Sequence, residues 1–167
     1  MARMKFVAIY CKPATVPQSA SAEARSNPPP DLATMENVHR TIIPSIQSFG
    51  PFQAVCAPPN MNCLAVASIF YRTFRLRALS IRDDLEEVEG RTIDDIQNTT
   101  ALLIRSIGDL YQSAVLVVPP TVLACFHYMA DYECAPESIE PMAGEIMNRA
   151  FELEVYEYTN GVLRIIA

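Results

Sequence analysis

The chain has 167 residues, with 13 Lys and Arg against 19 Asp and Glu, and a formal net charge of −6. That length is most simply a single domain over 1–167, large enough to bury roughly 70% of the surface its unfolded chain would expose. The negative balance and the lack of clustered Lys and Arg exclude a nucleic-acid footprint, which needs basic groups against phosphates.

Half the residues are apolar and 19% are charged, below the quarter or so usual in soluble domains. The excess is expected to be covered by other protein chains in a hetero-oligomeric assembly. Five cysteines, at 11, 56, 63, 125 and 134, form no CxxC pair and have no His at zinc spacing. They read as reduced thiols in an intracellular, reducing compartment, the cytosol or the mitochondrion, and no metal or cofactor is expected. The first apolar run is shorter than a secretory h-region, and no segment approaches the ~20 apolar residues of a transmembrane helix.

The chain opens on a buried strand, Phe6 to Cys11, inside the stretch KFVAIYCKPAT. In open α/β sheets ligands bind at the carboxyl ends of strands, so Cys11, Lys12 and Thr15 stand where chemistry is expected. Residues 13–31 form a long Pro/Ser-rich loop stiffened by Pro28 to Pro30, and loops of this length inside a compact domain are usually functional or disordered. It is expected to lie over or beside the site and to present an extended segment to a partner.

From Leu32 an apolar stripe of Met35, Val38, Ile42, Ile43 and Ile46 marks a helix that ends at Gly50-Pro51 and is kinked by Pro44. Phe52 to Ala57 reads as a second strand, and Asn60 can cap a helix from Met61 to Phe74. Leu76 to Ile81 is a short extended piece, followed by the acidic stretch Arg82 to Gly90, whose carboxylates read as a solvated face. Thr92 and Asp95 form a capping box for a long helix with its stripe at Ile93, Ile96, Thr100, Leu103, Ile104, Ile107 and Leu110. Ala114 to Val118, stopped by Pro119-Pro120, predicts a central parallel strand. Helices follow at Val122 to Ala130 and near Met142 to Ala150, and Asn160-Gly161 joins two closing strands between Phe151 and Ile166.

The order β-α-β-α-β-α-β-α-ββ, with its punctuation, resembles the histidine phosphatase superfamily. VAIYCKPAT stands where that family has a strand ending in Arg-His-Gly, with Thr15 kept. Leu32 and Thr34 echo its Leu-Thr pattern, and VCAPPNMNC its Ser-Ser-Pro-Leu-x-Arg-Ala, Pro59 holding the proline's place. Glu89, Gly90, Thr92 and Asp95 are similar to its Glu-Gly-x-Thr-x-x-Glu, and VLVVPPTVL stands where a strand runs into Ser-His-Gly. The resemblance spans nearly the whole chain. It implies a three-layer α/β fold, a mixed, mostly parallel sheet with helices on both faces, phosphoglycerate-mutase-like.

The family's chemistry needs a nucleophilic His, two Arg and a second His around the phosphoryl group, and an acid for the leaving group. The resemblance places Cys11 at the first Arg, Lys12 at the nucleophilic His, Asn62 at the second Arg and Pro120 at the second His. Asp83, Asp84, Glu86 and Glu87 lie near the acid's place, and His39 and His127 fall in helices away from the catalytic positions. The expectation is therefore a chain that is not an enzyme: a catalytically inactive domain, with no catalytic residue, serving as a structural or interaction subunit. Two alternatives stay open. One is an anion-binding module using Lys12 and the N–H groups after Pro59. The other is a cysteine-dependent enzyme in which Lys12 lowers the pKa of Cys11.

Overall fold

A computed structural model describes residues 3–86, 92–131 and 136–167. Among them, six strands form one sheet: β1 (Arg3–Cys11), β2 (Ala54–Ala57), β3 (Ala78–Ile81), β4 (Ser113–Val117), β5 (Phe151–Thr159) and β6 (Val162–Ile165), in the order β3-β2-β4-β1-β5-β6. The first four in that order are parallel, with Val55 and Val7 both beside Val115. β5 runs antiparallel to β1, with Cys11 opposite Phe151, and β6 closes the hairpin. Asn160 and Gly161 both have positive φ, 53° and 80°, which is why the turn needs this pair.

The helices are α1 (Ala22–Ser26), α2 (Leu32–Asn37), α3 (Ile43–Ile46), α4 (Met61–Thr73), α5 (Ile93–Leu110), α6 (Pro120–Ala130) and α7 (Ile139–Met147). Alternate residues of β1 enter two separate cores. Met4, Phe6, Ala8 and Tyr10 pack with α5, α6 and α7, whereas Val7, Ile9 and Cys11 pack with the run from α2 to α4. The fold expected from the sequence is therefore the observed one, three layers with helices on both faces. Val7, Ile9, Val55, Leu103, Ile107, Leu116, Val117 and Leu123 are buried, while Leu64 is only partly so.

Local departures have local causes. The helix after Leu32 is not continuous: Val38–Ile42 is a π turn in which the Ile43 N–H bonds to the Val38 carbonyl, five residues back. Pro44 follows directly, and a proline has no N–H for the ordinary four-residue bond and crowds the carbonyl it would reach. Leu32, placed on the apolar stripe, is 84% exposed, and Leu110 at the end of α5 is 65% exposed. Both sit at helix ends, where the stripe has already turned off the sheet. The loop after β1 contains a short helix, α1, capped by the Ser21 hydroxyl. Glu87, Glu89, Gly90 and Cys134 lie outside the described residues. Among the described residues, no helix is long and apolar enough to cross a membrane.

Candidate functional site

Parallel strands aim their carboxyl ends at one edge of the sheet, and at that edge lies a cavity of about 740 Å³. Cys11 from the end of β1, Asn60, Asn62 and Cys63 from the start of α4, and Val118 to Val122 from the turn into α6 line it. Asp84 and Glu86 after β3, Thr99 and Thr100 of α5, and Glu140, Gly144 and Met147 of α7 complete the wall, with Ser26, Asn27 and Pro28 at the loop side.

Three of the four positions singled out by the resemblance thus meet in one place: Cys11, Asn62 and Pro120. Lys12 does not join them. Its N–H donates to the Ala150 carbonyl at 3.0 Å, its carbonyl accepts from the buried Thr34 hydroxyl at 2.7 Å, and its side chain is exposed. Asn62 secures the residue before it, donating from Nδ2 to the Cys11 carbonyl at 2.8 Å. The end of β1 is fixed by side-chain bonds from two helices, a use of Thr34 and Asn62 that strand and helix patterning does not reveal.

Pro120 is the first residue of α6, where its missing N–H would have had no intrahelical partner anyway. The start of α4 is occupied in another way. The Asn60 side chain accepts from the Cys63 N–H at 2.9 Å, and Asn27, reaching across from the loop, accepts from the Met61 N–H at 2.8 Å. Two of the amides that the anion-binding alternative draws on, those of Met61 and Cys63, are thus held by the protein's own carboxamides.

The cysteine alternative is corrected by burial. Desolvation, and secondarily Cys63, pushes the Cys11 thiol up to about 12, and burial pushes Cys63 up to about 11. A thiol that stays protonated at neutral pH is neither a nucleophile nor a metal ligand. Among the described residues no cluster of His, Cys, Asp and Glu is arranged to hold a metal ion.

The acidic stretch is more than a solvated face. Asp83 is exposed, but Asp84 lies at the cavity wall and accepts two bonds from the Arg82 guanidinium, at 3.0 and 2.8 Å, while Arg82 also donates to the Ser106 hydroxyl at 2.8 Å. The bond to Ser106 ties the segment to α5, and Glu86 also lines the cavity. Glu140 was missed because α7 begins at Ile139, three residues before the helix read from the sequence. Among the described lining residues there is no Lys, Arg or His.

Neither histidine of the chain reaches the cavity. His39 is exposed in the π turn, and His127 lies on α6 over a smaller cleft of about 210 Å³, its Nδ1 2.8 Å from Glu154 Oε1. Glu154 also accepts from the Tyr156 hydroxyl, and Arg149 pairs with Glu152 beside it.

With this geometry the chain can be set beside solved structures. A phosphoglycerate mutase from Bacillus anthracis superposes with a TM-score of 0.70 at 9% identity, covering 99% of this chain and 92% of that one. The fold is phosphoglycerate-mutase-like. A mutant phosphoserine phosphatase from Entamoeba histolytica, solved with phosphoserine, gives a TM-score of 0.69 at 9% identity, covering 98% of this chain and 95% of that one. An alpha-ribazole phosphatase from Shigella flexneri gives 0.65 at 9% identity, with coverage of 98% and 95%. No family model matches the sequence, and no curated protein does.

The expectation that the chain is not an enzyme is corrected by these neighbours. Structures sharing its fold from end to end are phosphatases and a mutase. Identity of 9% carries the fold alone, so the chemistry has to be argued from the cavity's own residues.

Proposed function

We propose that the cavity at the carboxyl edge of the parallel strands is the working site of this phosphatase-fold chain and that it holds a small organic molecule. The observation that carries this reading is the convergence of four loops and helix starts on an open space of about 740 Å³, the size class of small-molecule sites. The groups placed to give or take a proton at a bound molecule are the carboxylates of Asp84, Glu86 and Glu140. A covalent phosphohistidine route has no imidazole within this site, since both histidines lie elsewhere.

Gly144 supplies the test. A Cβ built there meets nothing within 4 Å, so a larger side chain enters the cavity rather than the protein. Ligand-observed NMR against a fragment library is expected to yield binders to the native chain that are lost in Gly144→Phe while the amide spectrum of the core is retained. Binders that survive Gly144→Phe unchanged would place the working surface elsewhere.

A second reading, contact with another protein chain, is favoured by Leu102 and Leu110, which stand 67% and 65% exposed two turns apart on α5. Isolated exposed leucines are ordinary, but a pair on one helix stripe is the kind of anchor that partner helices cover. Light scattering of the native chain with and without its co-purifying proteins, and of Leu102→Lys, tests it. A monomer that co-purifies with nothing and is unaffected by the substitution would remove this reading.

A further inference from the structure

Resting on the reading in which the chain contacts another protein chain, we propose that the partner is a second copy of this chain, docked antiparallel along the free edge of β3 about a two-fold axis.

The first ground is an edge left open. β3 ends the sheet and bonds only to β2, so among the described residues the N–H and C=O groups along its other side have no strand to meet. Natural edges are blunted by a charge, a proline or a bulge. Ala78-Leu79-Ser80-Ile81 holds no charge and no proline, and its register with β2 runs unbroken from Ala78 to Ile81. The opposite edge is guarded, since β6 carries the exposed Arg164 inside the strand.

The second ground is apolar surface on both faces of that edge. Four residues of backbone are too few to hold two chains together, so side chains beside them must contribute. Ile81 is 58% exposed, and Leu79, on the same face of the strand, is half-buried against the core that α4 covers. Tyr71, in the last turn of α4 before the chain enters β3, is exposed as well. On the other face the exposed Leu102 stands one turn before Ser106, which accepts from Arg82 directly after β3.

The third ground is charge. Arg75 and Arg77 precede the strand and Asp83 follows it, all three exposed and, among the described residues, without an ion pair. A strand with a basic start and an acidic end complements a copy of itself only when that copy runs the opposite way. With the axis at Ser80, Leu79 lies across from Ile81 of the second copy and Arg77 comes beside its Asp83, twice over by symmetry. A parallel pairing would set like charges together.

Sedimentation velocity over a concentration series of the native chain is expected to show a monomer–dimer equilibrium. Ile81→Lys, at an exposed position that leaves the fold intact, should weaken the dimer about tenfold or more by putting a charge into its apolar centre. Arg77→Asp and Asp83→Arg should each weaken it several-fold, and the double variant should restore it, because opposite charges again face each other across the axis. Far-UV circular dichroism and the urea midpoint of each variant check that it is folded. A monomer throughout the series overturns the second copy, and so does a dimer that none of the three single substitutions weakens. A double variant weaker than either single one overturns the antiparallel pairing. If Leu102→Lys alone breaks the dimer, or the monomer co-purifies with a different protein, contact with another chain stands and only the β3 edge falls.

Discussion

Two polar regions flank α6, and they are built on opposite terms. In the cleft of His127 the central charged groups are paired: Glu154 is shared by His127 and the Tyr156 hydroxyl, and Glu152 holds Arg149. In the larger cavity the carboxylates of Glu86 and Glu140 face no cation among the described lining residues, and an amide oxygen of Asn62 goes unpaired. A satisfied network fixes a structure. On the proposed reading the cleft is architecture and the cavity is the site, although the cleft holds the histidine that phosphatase chemistry would lead one to look for.

The largest effect lies beneath the cleft. The Phe126 ring meets Phe6 at 5.4 Å and Tyr156 at 5.8 Å, both edge-on. Phe126→Ala should cost about 3–5 kcal/mol in urea denaturation through the cavity it leaves. Ligand binding at the carboxyl edge should survive wherever the variant is still folded.

Breaking the network itself should cost less. Glu154→Ala strands the Tyr156 hydroxyl and leaves the His127 imidazole without its carboxylate. A loss of about 1–3 kcal/mol in the same assay is expected. A neutral result would mean the cleft is no more satisfied than the cavity, and the contrast between them would fail.

The buried thiols set a pH limit. Cys11 is pushed up to about 12 and Cys56, Cys63 and Cys125 to about 11, in each case first by desolvation. Folded values above the unfolded ones mean a contribution to stability that is whole below about pH 8.5 and declines as pH rises toward the folded values. Each thiol should take away about 1.4 kcal/mol per pH unit inside that window. The urea midpoint should therefore be flat from pH 7 to 8 and fall steeply above 9. Cys11→Ser and Cys125→Ser should each shallow the fall.

The smallest effect has the opposite sign. Gly144 sits within α7 with open space where a Cβ would stand. Gly144→Ala should raise stability by about 0.5–1 kcal/mol by removing unfolded-state freedom. A loss of stability there would show that the cavity wall is already closed.

The succession of elements and their layering were legible because runs such as AVLVV between polar breaks admit one assignment, and Asn160-Gly161 admits one turn. The site was half legible. Resemblance brought Cys11, Asn62 and Pro120 together, since their positions follow from strand ends. It misplaced Lys12, because side chains alternate along an extended chain and the residue after a buried Cys11 turns away from the core. Asn27 and Glu140 were out of reach: each meets the cavity through tertiary packing between segments far apart in sequence, which no local period encodes.

The placement of β1 has a consequence for how the protein is made. Its two neighbours in the sheet are β4, from residue 113, and β5, from residue 151. β1 therefore waits, apolar and unpaired, until β4 is synthesised before one edge can close, and until β5 is synthesised before the other can. Pairing across such separations is slow, and exposed strand edges invite association with other chains during the delay. A nascent chain halted before residue 151 would carry β1 with one edge open, so β5 is the lock that ends its vulnerability to quality control.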